Sequence, residues 1–347
     1  MKWMIYGVYG YTGKLVAAYA KAQGLTPIVA GRNKAAVQEI AEQHGFEMRT
    51  FALDNPAEIA AQLTDIDAVV HCAGPFEITA PPMIEACLQS KTHYLDITGE
   101  LTVFELAHEH HKRAVEAGVV LCPGVGFDVI PTDCLAAQLK QQMPDTTHLA
   151  LGFDSASRMS RGTAKTSVRR LAEGGAIRKN GQITTVPLAY ATRKIDFGGG
   201  EKLAMTIPWG DVSTAYYSTG IPNIEVYIPG SPGLVKRLKR MNLFRFMMGW
   251  GWVQRILQKK IDEQPAGPDD KQLEHAITYV WGEVKNSHGE VKTGRLKVMN
   301  GYKLTSRGAV DIAQFILEKK PAGGFYTPSK LCGADWVSRY QLAEDNA

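Results

Sequence analysis

Three glycines spaced three apart, Gly7, Gly10 and Gly13, follow the apolar run Trp3-Met-Ile-Tyr6 and lead into a helix-like stretch, Lys14–Gln23. A strand that turns through glycines into a helix builds a cradle for an anion. The first glycine makes the tight turn, the second lets backbone approach a pyrophosphate, and the third lets helix and strand pack closely. Phosphates then sit at the helix N-terminus, where free N–H groups and the helix dipole favour negative charge. Tyr11 and Thr12 occupy that terminus and join the three glycines as candidate contacts. The spacing is GxxGxxG rather than GxGxxG, so the flanking strand and helix carry the reading more than the glycines do.

The next apolar run, Pro27-Ile-Val-Ala-Gly31, ends in Arg32 and Asn33 with no acid nearby. An acid there would accept from the ribose 2′-hydroxyl of NAD. An arginine suits the 2′-phosphate of NADP through charge-assisted hydrogen bonds. The plainer reading is a surface arginine beside an N-cap, Asn33. NADPH is therefore the expected cofactor.

Further candidates recur at the ends of successive strand-like runs. Asp54 is placed to accept from an adenine amino group. Ala73, Gly74, Pro75 and Phe76 would let the nicotinamide half pass close, and Thr98 lies in the loop after the fifth run. Asp128, in the Gly-rich loop Pro123-Gly-Val-Gly-Phe127-Asp128, is the first choice for a polar group facing substrate. Tyr94 and Asp133 are the further proton-handling candidates, although Asp133 equally suits a helix N-terminus. His108-Glu-His-His111 lacks the HExxH pattern because position 112 is Lys112; on a helix His108 and His111 share a face, but two ligands do not make a site, so no metal is expected. His71 and His93 read as satisfied core histidines.

These positions need a scaffold of strands alternating with helices. The runs Glu47–Ala52, Ala68–Cys72, His93–Asp96 and Val119–Cys122 are separated by helix candidates Lys34–Gln43, Pro56–Leu63, Pro81–Gln89 and Leu101–Ala117. That alternation argues for an α/β fold, a doubly wound Rossmann-type parallel sheet whose ligands bind outside the carboxyl ends of the strands. From about position 150 strand-like runs follow one another: Leu149–Asp154, Ile183–Pro187, Leu203–Pro208, Ile224–Ile228, and a hairpin of Ala276–Lys285 with Glu290–Val298. This reads as a second, α+β domain on a mostly antiparallel sheet. The expected organisation is a dinucleotide-binding domain over 1–130, a substrate or oligomerisation domain over 131–304, and a C-terminal segment, 305–347, that packs back on the first.

The 347 residues suit two domains, and 45% apolar with 21% charged residues is the profile of a globular enzyme. No apolar run is long enough to cross a bilayer. The chain opens on a strand, so no secretion signal is expected, and five scattered cysteines without a CxxC pair read as reduced thiols of a cytoplasmic protein. Between Val235 and Ile261 lie eight Lys or Arg and no acid, more than the net charge of +4, so the rest of the chain is net acidic.

The motifs GVYGYTGKLVA, AGRN, CAGPF, YLDITGE, PGVGFDVIPTD, SRGTAKTSVRRL and GGFYTPSKLCG together resemble the saccharopine dehydrogenase-like oxidoreductases. The resemblance covers the first domain, the start of the second and the tail, and is thin between about 180 and 300. It implies an NADP-binding domain, a sheet-based substrate domain and hydride transfer from NADPH. Tyr9 stands where the family usually has a small residue.

The substrate stays open at this level. A dicarboxylate imine would call on cations such as Arg158, Arg161, Lys165, Arg169 and Arg170. The segment 234–260, which mixes cations with Leu, Met, Phe and Trp, suits a peripheral membrane surface, an acyl-carrier contact, an acyl-chain tunnel or a core-packing helix pair. The leading expectation is an NADPH-dependent oxidoreductase acting on an apolar or carrier-linked acyl substrate such as an enoyl chain. The alternatives are an amino-acid dehydrogenase acting on an imine and a non-catalytic NADPH sensor. Nucleic acid is a poor partner for one local basic run, and a homodimer through the second sheet is open.

Overall fold

The computed structural model describes residues 2–343. The chain opens as a regular strand and helix alternation: β1 Trp3–Tyr6, α1 Tyr11–Ala22, β2 Ile28–Gly31, α2 Lys34–His44, β3 Met48–Thr50, α3 Pro56–Gln62, β4 Ala68–His71, α4 Phe76–Ser90, β5 His93–Asp96, α5 Leu101–Glu109, α6 His111–Ala117 and β6 Val120–Cys122. Every residue of β1, β2, β4 and β6 is buried, as expected of strands covered on both faces by helices.

Local chemistry sets where the helices begin. Asn33 caps α2, and Asn55 followed by Pro56 caps α3. α4 starts at Phe76, five residues before the expected Pro81, and Pro81 and Pro82 lie inside it. The reason is a distant cap: the Glu100 carboxylate accepts from the Phe76 N–H at 3.0 Å and the Glu77 N–H at 2.8 Å. The expected single helix 101–117 is broken at His110, where α5 ends and α6 begins.

The second stretch runs α7 Ile130–Gln142, β7 Thr146–Ser155, α8 Arg161–Arg169, β8 Gly175–Lys179, β9 Gln182–Val186, β10 Thr192–Asp196, β11 Glu201–Thr206, α9 Asp211–Thr219, β12 Asn223–Pro229, α10 Pro232–Met241, α11 Gly251–Asp262, α12 Asp270–His275, β13 Thr278–Asn286 and β14 Val291–Val298. Its sheet has the order β10-β11-β12-β7-β13-β14, with the β8–β9 hairpin joined to β12. Only β12 and β7 run parallel; the other pairings are antiparallel. α7 lies against the paired glycines Gly282 and Gly294, where side chains would collide with Leu135 and Leu139.

The chain then returns through α13 Gly301–Lys319, β15 Gly324–Phe325 and α14 Pro328–Cys332. β15 pairs parallel with β6 and completes the first sheet in the order β15-β6-β5-β4-β1-β2-β3, parallel throughout. One compact unit therefore runs through Ile130 and includes Tyr302–Gly333; the other comprises Pro131–Gly301 and the stretch from Ala334.

Candidate dinucleotide and active site

The three glycines do three different things. Gly7 has φ +84°, and a β-carbon there would lie 2.7 Å from that of Ala73, so the β1 turn and the β4 loop touch at this residue. A β-carbon on Gly13 would collide with the Gly7 carbonyl and lie 2.9 Å from the Val8 α-carbon, so helix and strand are closest here. Gly10 is roomier, its nearest neighbour being the Gly7 oxygen at 3.3 Å from a built β-carbon. It starts α1 with no side-chain cap and no acid in the first turn, so no side chain of that turn offsets the positive end of the helix dipole. Thr12 is half-buried there, and Tyr11 meets Tyr302 edge-on at 5.3 Å.

Tyr9 does not lie over that helix start. Its ring folds back onto the end of β2, where a β-carbon on Gly31 would come within 2.6 Å of it. Arg32 follows, exposed and without a hydrogen bond or ion pair among the described residues. Asn33 uses its side-chain oxygen as the α2 cap, accepting from the Ala36 N–H at 3.2 Å. Asp54 is exposed, and Tyr9, Arg32 and Asp54 each lie near enough to the Tyr6 hydroxyl to act on it electrostatically.

The carboxyl ends of the central strands are in register, Tyr6 opposite His71 and His71 opposite Asp96. Asp96 is fully buried and organises the β5 and β6 ends. Its Oδ1 accepts from the N–H groups of Thr98 and Gly124, each at 2.9 Å, and its Oδ2 from the Tyr94 hydroxyl at 2.6 Å. Burial raises its carboxyl to about 6 against the pull of those donors. Thr98 is also buried, and its hydroxyl oxygen accepts from the Glu100 N–H at 3.0 Å, which seats the carboxylate that starts α4. His71 is buried among Tyr6, Phe76 and Tyr94. One ring nitrogen bonds the Thr79 hydroxyl at 3.0 Å while Nδ1 has no partner, so this core histidine is only half satisfied. Burial lowers it to about 3 and keeps it neutral. His93 accepts from the Val120 N–H at 3.0 Å.

The three proton-handling candidates stand apart. Tyr94 is wholly enclosed and committed to Asp96. Asp133 is fully buried in the second unit, where the Ser218 hydroxyl donates to it. Asp128 is partly open at the end of the β6 loop, yet its carboxyl is densely surrounded, and burial raises it to about 7. Its loop is held by α13: the Thr305 hydroxyl accepts from the Phe127 N–H at 3.0 Å and its methyl faces Gly126. Thr305 and Glu100 escaped the sequence reading. Glu100 carried a signal, as the acid that ends the YLDITGE run one residue before a helix.

His108 and His111 stack with ring centres 6.5 Å apart, and His111 serves the fold by accepting from the Phe325 N–H at 3.1 Å. Among the described residues no group of three or more His, Cys, Asp or Glu is arranged to hold a metal.

Residues 3–122 match the saccharopine dehydrogenase NADP binding domain. In this part the chain is similar to the saccharopine dehydrogenase-like NADP-binding oxidoreductases. A saccharopine dehydrogenase-like oxidoreductase of Rattus norvegicus is 27% identical over 202 residues, which cover 51% of this chain and 47% of that protein. A Mycobacterium tuberculosis protein that carries the name trans-acting enoyl reductase is 31% identical over 138 residues, 38% of this chain and 33% of its own. The chain spans about half the length of the rat relative it matches. Apo saccharopine dehydrogenase (L-Glu forming) of Saccharomyces cerevisiae shares the fold over 100% of both chains, with a TM-score of 0.68 at 12% identity. NADP fits the local chemistry here: an uncapped helix start, a glycine without a side chain at that start, and a cation where NAD binders carry an acid.

Proposed function

We propose that the chain is an NADPH-dependent reductase acting on an apolar or carrier-linked acyl substrate, an enoyl chain foremost. The observation that carries the cofactor side is the uncapped start of α1 together with Arg32, which is unpaired among the described residues. Gly7, Gly10, Gly13, Tyr11 and Thr12 would hold the pyrophosphate. Arg32, with the Asn33 amide beside it, would take the 2′-phosphate and Asp54 the adenine. Ala73, Gly74, Pro75, Phe76 and the Thr98 loop would border the nicotinamide half.

When bound, NADPH supplies the hydride. The residues of this chain then have a proton to manage, because reduction of a C=C bond also needs H⁺ at the neighbouring carbon. Asp128 is the group for it, since a carboxyl near 7 both holds and releases a proton at neutral pH. Asp96, Tyr94 and Thr98 position the two strand ends around it and do not touch substrate. Asp133 serves the second unit.

The cation pattern supports an apolar substrate. Of the five cations that a dicarboxylate imine would recruit, Lys165 is paired with Asp262 at 2.5 Å and Arg170 with Glu173 at 3.0 Å. The name of the mycobacterial relative points the same way. One observation favours the imine reading, Arg161, whose Nε is buried without a partner.

The test is NADPH oxidation against long-chain enoyl thioesters in one arm and 2-oxo acids with lysine and other amines in the other. Turnover of enoyl thioesters supports the proposal. Turnover only in the imine arm replaces it with an amino-acid dehydrogenase. Tight NADPH binding without turnover in either arm makes the chain a sensor.

A further inference from the structure

Among the described residues no helix is long and apolar enough to cross a membrane. The segment from Pro232 to Asp262 nevertheless displays apolar side chains to solvent. Leu243 is 75% exposed, Phe246 61%, Phe244 59% and Trp252 52%. Phe246, Trp250 and Trp252 form one aromatic row, with successive ring centres 6.0 and 6.2 Å apart. Scattered apolar residues at a surface are ordinary, but a contiguous aromatic cluster of this size marks a contact surface.

The cluster is held out, not frayed out. The Asn242 side chain clamps Leu188, accepting from its N–H at 2.8 Å and donating to its carbonyl at 3.1 Å. Gln254 donates to the carbonyls of Val168 at 3.1 Å and Met248 at 2.6 Å, which fixes α11. Arg245 packs against Gly174, where a β-carbon would collide with its guanidinium. These contacts fasten the inner side of the segment to its own unit and leave Leu243, Phe244, Phe246 and the two tryptophans outside.

Cations flank the apolar tip in the chain on both sides. α10 brings Lys236, Arg237, Lys239 and Arg240, and α11 brings Arg255, Lys259 and Lys260, with no acid between Val235 and Ile261. Beside α10 lies a groove of 560 Å³ whose walls join Leu203, Val235 and Leu243 to Lys236, Lys239 and Arg240. Apolar wall and cationic rim complement the two halves of an amphiphile with an anionic head.

We propose that this face docks on an anionic lipid bilayer. The aromatic tip enters the headgroup and acyl boundary, the cations of α10 and α11 meet phosphates on either side, and the groove takes a lipid headgroup. Charge argues against a second copy of the chain, because two such faces repel. An acidic carrier protein would engage the cations but has no need of an exposed aromatic row ahead of them. The proposal does not depend on the nature of the reduced substrate.

The experiment is flotation of the purified full-length chain with vesicles of phosphatidylcholine alone or mixed with phosphatidylserine, at low and high salt. The expected result is at least about tenfold more protein on the anionic vesicles, reduced by salt. Phe246→Ser with Trp250→Ser and Trp252→Ser should lose the binding, and so should Lys236→Gln with Lys239→Gln and Arg240→Gln. Both variants should keep NADPH binding, which reports the fold of the first unit, and a native circular dichroism spectrum. Absence of binding at low salt overturns the proposal. So does serine-variant binding equal to that of the parent, or capture by an acidic acyl carrier protein without binding to anionic vesicles.

Discussion

The Asp128 carboxylate rests against the α-carbon of Gly99: a methyl group added there would sit 2.7 Å from Oδ2. The residue after Thr98 must therefore lack a side chain for Asp128 to keep its place. Gly99→Ala is expected to lower kcat about tenfold or more while NADPH affinity changes less than twofold, because only the proton-handling group moves. Asp128→Asn should give the same pattern. Retained turnover in both variants, measured as NADPH oxidation, would remove Asp128 from the mechanism.

The raised Asp128 carboxyl fixes two pH signatures. As an acid it acts while protonated, so kcat should fall as pH rises through about 7. For stability, the folded state holds this proton to about pH 7 and the unfolded chain releases it near pH 4, so the folded state binds more protons between those values. Stability then declines as pH rises across that window. Asp128→Asn should accordingly raise the melting temperature relative to the parent at pH 8, with the difference shrinking toward pH 4. An equal difference at both ends would contradict the assignment.

At the end of β2, Arg32 has no hydrogen bond or ion pair among the described residues. Arg32→Ala should weaken NADPH about 10- to 100-fold and NADH by much less, the loss of one or two charge-assisted bonds to the 2′-phosphate. Titration of both cofactors by fluorescence checks this, and an equal loss for both would refute it.

The glycine turn separates folding from binding. Gly13→Ala should destabilise the chain by about 1–3 kcal/mol, because the methyl overlaps the Gly7 carbonyl. Gly10→Ala should cost less than about 1 kcal/mol, yet its methyl stands at the uncapped helix start and should weaken NADPH. Paired thermal melts and cofactor titrations distinguish the two.

The first sheet was legible because its strands are short apolar runs separated by helix signals. The Gly7–Gly13 turn and the Asn33 cap were legible because they are local. β8 and β10 were not foreseen. β8 had a cue, Asn180-Gly181 ahead of Gln182, a two-residue hairpin turn with both residues at positive φ. β10, Thr-Arg-Lys-Ile-Asp, is a charged edge strand that resembles a loop in composition. The start of α4 depends on Glu100, which is remote in sequence from Phe76. The Gly-rich loop already put Asp128 ahead of Tyr94 and Asp133, and packing then separates those two enclosed side chains from the partly open one.

Glu100 gives that remote link a measurable cost. Glu100→Gln should destabilise the chain by about 1–2 kcal/mol, since a neutral amide replaces the buried charge at the α4 N-terminus. Chemical denaturation checks this, and a change below about 0.3 kcal/mol would show that the cap is dispensable.

β15 is two residues long, yet as the outermost strand it covers the flank of β6, and it reaches its place about two hundred positions after the strand it joins. On the ribosome, β6 therefore emerges long before its neighbour exists. Until Gly324 and Phe325 are made, the nascent sheet carries an open apolar edge, the kind that recruits other strands. A chain stopped at Ile130 would keep the whole glycine turn and lack the strand that covers β6, so such a truncation is expected to aggregate rather than to stand as a small working domain.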